Sequence, residues 1–424
     1  MAQSPNGKHN IEDSLSNAMT IRFRLVGASA VVLALIFIGL SYRYWQSSQD
    51  PFKAQAVINP PFTSLTYAYH TSLWWHSEDY NHLAWTRLSN FSHIKQVFAW
   101  ENIEPARGRW IWYRADQIVE RAEQAGVKIV ARLSDAPAWA HPDLVGEKDV
   151  DYTDAPPTDL EDFGNYCATL SARYKGRIDA YQIWNEPNLS REWGNARPVA
   201  SAYVDLLATC SQAIRANDPD AILISAGLAP TGNDDDLARR DDLYLQDLYD
   251  AGFRQWVDVV GVHAPGFSMV DYSPDQAERD GRGRWATFRR VEDLRKIMIA
   301  NQDAQTQMAI LEMGWTLAPP EHRDYAWFAV TEKEQAQNLL EAYTFAAEHW
   351  RPWVGLMTTI YLADPLWTEA DEQFWFSITN GAYYTRPAFH VLANMPKYCG
   401  DRIIPYRDPG SAEALGLVPT NPCD

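Results

Sequence analysis

Eight short β-branched runs, each followed by a longer segment of helical periodicity, constrain this chain more than any other feature. The runs are 64–69 (SLTYAY), 93–98 (HIKQVF), 127–133 (VKIVARL), 178–184 (IDAYQIW), 221–226 (AILISA), 257–262 (VDVVGV), 307–312 (QMAILE) and 353–361 (WVGLMTTIY). Strands that alternate with helices pair in parallel, because each helix is the crossover that a parallel connection requires. Eight is also the number that closes a barrel. The expected fold is therefore α/β, a (β/α)8 TIM barrel, with an open doubly wound sheet as the alternative. Among the helical segments, 114–126 ends on Gly126, a natural left-handed stop. A second, 331–350, opens with Thr331 and Glu334 in capping-box spacing, and a third covers 288–300.

The barrel does not account for the N-terminus. Leu25–Leu40 contains only one polar residue, Ser29. As a helix it spans about 24 Å against a hydrocarbon core of about 30 Å, and Ser41, Tyr42 and snorkelling arginines at 24 and 43 narrow the gap. We read residues 1–24 as a cytoplasmic tail, 25–42 as a transmembrane signal-anchor and 43–61 as a polar, proline-punctuated linker. Residues 62–398 form the barrel and 399–424 a C-terminal tail. The single membrane pass puts the barrel on the extracytoplasmic side; a cleaved signal peptide followed by secretion is the rival reading.

The net charge of −18 repels phosphate backbones, so no nucleic-acid partner is expected. No GxGxxG follows the first strand and no phosphate-binding loop is present, so no cofactor is expected. Nor does any Cys/His spacing suggest a metal site. The four cysteines either stay free or pair; Cys167 with Cys210 and Cys399 with Cys423 is one of three connectivities. The acidic run 234–242 reads as a solvated loop.

Chemistry enters at the ends of strands four and seven. Glu186 lies just past the fourth run and Glu312 ends the seventh, 126 residues later. In a barrel these ends share one face, opposite each other across the mouth. Two carboxyls in one cleft suit glycosidic cleavage, one giving a proton to the leaving oxygen and the other attacking the anomeric carbon or directing water. Taken singly, Glu186 also reads as a helix N-cap and Glu312 as a salt-bridge partner. The expected substrate is a carbohydrate. Asn185 offers an amide to a sugar hydroxyl, and Trp184, Trp193 and Trp315 offer stacking faces. His70, Asp135, Tyr361 and Trp367 lie at or just beyond other strand ends. Trp100 and Trp139 are further candidates; His141 reads as a bystander.

WNEPN (184–188) and ILEMGW (310–315) resemble the catalytic signatures of the clan A glycoside hydrolases, which are retaining (β/α)8 barrels. The longer WNEPNLSREW is most similar to family 39, which includes β-xylosidases, α-L-iduronidases and exopolysaccharide hydrolases. FAWENIEPARGRW (98–110) and ARLSDAPAWA (131–140) extend the likeness over most of 62–398. The resemblance implies Glu186 as acid/base, Glu312 as nucleophile, Asn185 as the contact to the 2-hydroxyl and His263 beside the nucleophile. Two departures touch the sugar pocket. Lys95 and Gln96 stand where many relatives carry an arginine, and Pro265 replaces a tyrosine. Arg132 is a candidate for the missing charge, or else a structural residue. The function implied is hydrolysis, with retention, of a β-linked glycan near the cell surface. The alternatives are a glycan-binding protein that does not cut and a structural subunit of an envelope complex.

Overall fold

Each of the eight runs forms a strand: β1 (Thr66–Thr71), β2 (His93–Ala99), β3 (Lys128–Ser134), β4 (Ala180–Ile183), β5 (Ile222–Ser225), β6 (Val259–His263), β7 (Gln307–Met313) and β8 (Val354–Thr359). They pair in sequence order, all parallel, and β8 pairs back onto β1, with Thr66 opposite Leu356, to close the barrel. The computed structural model describes residues 57–63, 65–74, 81–144, 152–380, 384–399 and 402–404. The tail, the expected anchor at 25–42, most of the linker and Cys423 lie outside the described residues. No helix among the described residues is long and apolar enough to cross a membrane.

Alternation along the strands divides the barrel interior into two zones. Ala68, Val130, Ala180, Ile224, Val259, Ala309 and Leu356 form one buried cluster, with Phe62 packed into it. The Gln307 side chain bonds both the N–H and the carbonyl of Phe62, at 2.9 Å each, and so fixes this plug at the start of β7. Further along, the inward positions turn polar: His70, Lys95, Arg132 and Gln182. The floor supplies hydrophobic stability and the upper end carries the polar groups, as expected where the strand ends hold the site.

The crossover helices pack outside. Tyr113–Ala125 stops at Gly126, whose φ of 65° is left-handed, and the Gly126 N–H donates to Ala122 and Glu123. Glu332–Phe345 opens with the full capping box between Thr331 and Glu334. The segment 331–350 is not one helix: its last turn, 346–350, widens. Helices Leu160–Arg173 and Ala200–Asn217 are joined by the Cys167–Cys210 disulfide. The acidic run differs from expectation. Asp241 opens the helix Asp241–Asp250 fully buried, held by two bonds from Arg290 at 2.9 and 3.0 Å. A buried carboxylate needs such a partner, so only part of the run is solvated loop.

Candidate active site

The chain leaves β4 through a turn that L-residues resist. Trp184 has φ 70° and Glu186 φ 36°, both in the sparsely allowed left-handed region. The turn persists because neighbours hold it on every side. The Trp184 N–H donates to Leu133, the Glu186 N–H to Gly227, and the Trp184 indole to the carbonyl of Glu192. Asn188 bridges to the next loop, donating to the carbonyls of Ala229 and Arg239 and accepting from the Ala229 N–H. Three residues of the WNEPN stretch thus hold the turn, and the stretch delivers one carboxylate to the cleft.

Glu312 comes from the end of β7, where the register against β6 shifts between Val262 and His263 so that His263 pairs with Glu312. A carboxylate oxygen of each acid and a His263 nitrogen all lie within 4.8 Å of one another. His263 Nδ1 is 2.7 Å from Glu186 Oε1 and 3.7 Å from Glu312 Oε2. Its ring fits only because residue 227 is glycine: a Cβ there would come to 2.1 Å from the imidazole. On the far side of Glu312, the fully buried Lys95 ammonium donates to Oε1 at 2.9 Å, and His70 stands 3.8 Å away.

These neighbours set the charge. Burial raises the Glu312 carboxyl, but His263, Lys95 and His70 together hold it well below the usual carboxylate range. Burial likewise opposes the charge on Glu186, and the His263 bond outweighs it. Glu312 pushes Glu186 up and Arg191, 3.3 Å away, pulls it down, and the net direction is a lowering. The two acids are not equivalent, because the Lys95 ammonium bonds Glu312 and not Glu186. A third carboxyl, Glu192, is pushed up to about 7 by burial and by the charge of Glu186. The Glu186–His263–Glu312 group has the donor atoms of a metal site. Its nitrogen is already bonded to Glu186 and a cation already sits on Glu312, so it reads as an acid pair bridged by an imidazole.

The acids face a cavity of about 1240 Å³. Asn185, His263, Arg132, Tyr361 and Trp367 line it with them, as do His70, Asp135 and Pro265. Arg132 bonds Ser134 and lies 3.5 Å from Asp135. Gln96 is occupied by β1, accepting from Thr71 and the Leu73 N–H. The charge expected from Arg132 is supplied to Glu312 by Lys95 instead.

Four expected stacking residues lie elsewhere. Trp100, Trp184 and Trp315 are buried in the packing behind the cleft, and Trp139 is half-buried with Arg107 over its ring. Each indole N–H is satisfied internally: Trp100 by the Glu104 carboxylate, Trp139 by the Glu104 carbonyl, Trp184 by Glu192 and Trp315 by Ser268. Trp193 and His141 are also buried away from the cavity. Besides Tyr361 and Trp367, the aromatic wall includes residues the sequence did not single out, Phe267, Trp285, Tyr325 and Trp327. Arg191, Glu192 and Lys95 were likewise missed as site residues. For Lys95 a signal was present, a lysine at an inward position of an apolar strand.

Comparison with known proteins finds likenesses to glycoside hydrolases. Residues 63–226 match the family described as Glycosyl hydrolase family 10. Endo-1,4-beta-xylanase A of Phanerodontia chrysosporium is 28% identical over 132 residues, 29% of this chain and 29% of that protein. The chain thus matches less than a third of that relative's length. Among solved structures, a family 39 glycoside hydrolase from Bacteroides cellulosilyticus WH2 superposes with a TM-score of 0.57 at 21% identity, covering 80% of this chain and 64% of that one. A GH10 endoxylanase from a sugarcane soil metagenome gives 0.52 at 20% identity, covering 78% and 97%. The solved structures share the barrel.

Proposed function

We propose that the protein is a retaining glycoside hydrolase that cuts a β-1,4-linked glycan of the xylan type. The observation that carries this is the spacing of the acids. A carboxylate oxygen of Glu186 lies within 4.8 Å of one of Glu312. Retaining sites hold their carboxyls about 5–5.5 Å apart, whereas inverting sites leave about 6.5–9.5 Å for a water. Glu312, ionised and held by Lys95, attacks the anomeric carbon as the glycosidic bond breaks. Glu186, which shares a 2.7 Å bond with His263, acts as the acid that gives the leaving oxygen its proton. Water deprotonated by Glu186 then releases the sugar from Glu312. Asn185, which lines the cavity beside Glu186, would contact the 2-hydroxyl. The likeness to endoxylanases supports the substrate class.

Charge narrows it further. Eight carboxylates and two guanidinium groups line the cavity. That balance opposes a uronic acid polymer and favours a neutral chain. The location is part of the same proposal: residues 25–42 anchor the enzyme outside the membrane. A linker of nineteen residues (43–61) would span about 25 Å, keeping the enzyme on glycans close to the surface.

The deciding test is cleavage of xylan and of 4-nitrophenyl β-xylobioside, with the anomer formed first read by NMR. The expected product is β, and Glu312→Ala abolishes turnover. Glu186→Gln keeps the first step on the activated aryl substrate, loses it on xylan and is rescued by azide. Release of the α-anomer, or no cleavage of either substrate, would sink the proposal. Extraction of the full chain from membranes by alkaline carbonate would remove the anchor from it.

A further inference from the structure

Two loops bring together an aromatic cluster that the reaction itself does not use. Phe267 follows β6, Trp285 lies further along the same connection, and Trp327 follows β7. The rings of Phe267 and Trp327 are parallel, 5.7 Å apart with 6° between planes. Trp285 stands edge-on to both, at 5.3 and 6.0 Å. All three line the same cavity as Glu186 and Glu312.

The cluster is held in place from beneath and from the side. Buried Phe328 packs against Phe267 at 5.0 Å and Trp327 at 4.7 Å. Trp285 occupies a slot between two glycines: a Cβ on Gly232 or Gly283 would come to 2.4 or 2.3 Å from its Nε1. Gly266, next to Phe267, leaves room for buried Trp315, where a Cβ would come to 1.9 Å. Despite this support Trp327 remains 58% exposed. A tryptophan serving only the core would bury its ring. A rigid indole open to a groove offers the apolar C–H face of a pyranose a preorganised surface, with little ordering cost on binding.

Its place in the groove follows from contacts. Arg191 bonds Glu186, Tyr325 lies within electrostatic reach of Arg191, and Tyr325 packs on Phe328 at 6.3 Å. The cluster thus lies on the side of the proton donor, while Lys95 on β2 and His70 on β1 flank the nucleophile. We propose that Phe267, Trp285 and Trp327 form a distal sugar subsite on the leaving-group side, holding a further residue of a β-linked glycan chain. This rests on the hydrolase reading above, and it makes the enzyme one that cuts within chains.

The test uses the full chain carrying Glu312→Gln, which binds without turning over, with xylohexaose and xylobiose as probes in calorimetry. Adding Trp327→Ala should weaken xylohexaose binding about tenfold, the loss expected for one aromatic contact, and weaken xylobiose binding less. Gly283→Ala, which displaces Trp285 while keeping every aromatic ring, should act in the same direction. Xylohexaose affinity unchanged within about twofold in both variants overturns the subsite, as does equal loss for the two probes or no xylohexaose binding at all. If the wild type cleaves nothing yet Trp327→Ala weakens xylohexaose selectively, the subsite stands and the hydrolase reading falls. If the wild type cleaves xylan and the variants bind normally, the reverse holds.

Discussion

Replacing Lys95 by methionine should move the acidic limb of the pH profile upward. Lys95 is fully buried, and its ammonium lies 2.9 Å from Glu312 Oε1. At that distance, and at an effective dielectric near 20, two unit charges attract by about 6 kcal/mol. This is an upper limit, because water enters the space that methionine leaves and because His70 and His263 remain. Cationic neighbours at such range typically move a carboxyl by roughly 1–3 pH units. The sign follows from Glu312, whose folded carboxyl is held below its ordinary value. Its ionised form is present above the ordinary range and is lost as pH falls through the depressed one. Without the ammonium that loss begins at higher pH. The assay is kcat/KM on 4-nitrophenyl β-xylobioside from about pH 3 to 8, since this parameter reports groups of the free enzyme. The expected outcome is an acidic limb raised by roughly 1–3 pH units, with Lys95→Arg staying close to wild type. A folded Lys95→Met protein whose acidic limb stays in place would refute the electrostatic account of Glu312.

Other outcomes follow from single contacts. Burial pushes the Glu192 carboxyl up to about 7, so the folded chain holds a proton that the unfolded chain releases. Its contribution is complete below the ordinary carboxyl range and lost as pH rises to about 7; Glu192→Gln should abolish this slope and stabilise the protein at pH 8 by up to ~3 kcal/mol in urea titrations. Gly227→Ala places a Cβ 2.1 Å from the His263 ring. It should cut turnover about 10²-fold with the circular dichroism spectrum preserved. Cys167 and Cys210 are 43 residues apart; replacing both by alanine should cost up to about 4 kcal/mol by chain entropy, read from denaturant midpoints. Thr331→Ala removes half of a capping box and should cost about 1 kcal/mol in the same assay.

All eight strands were legible because parallel strands covered on both faces read as nearly unbroken apolar runs. Their ends were less so. β1 begins at Thr66 rather than 64, and β8 ends at Thr359 rather than 361, since tertiary pairing decides where a run stops being a strand. Glu186 and Glu312 could be found because strand order alone brings them to one face. The register shift that sets His263 opposite Glu312 leaves no periodic trace. The tryptophans misled for a different reason: an indole at a strand end packs equally well inward or outward, and only the partner of its N–H decides. Trp327 and Trp285 lie in loops without periodicity, so nothing in the chain order marks them as neighbours. Nothing in the sequence marks Glu192 as a neighbour of Glu186, because the turn at Trp184, whose indole bonds the Glu192 carbonyl, leaves no periodic pattern.

The closure of β8 onto β1 has a consequence for when activity can arise. Glu312 takes its ammonium from a lysine 217 residues away, while Glu186 meets its histidine at a separation of 77. On the proposed roles, the proton-donating half of the centre needs only the middle of the chain, whereas the nucleophile is not equipped until β2 and β7 face each other across the closed barrel. Contacts of such long sequence separation are slow to form. Recovery of turnover after dilution from denaturant should accordingly lag behind recovery of helical signal. A truncated chain covering only 63–226 would carry the acid/base and no nucleophile, and would be inert.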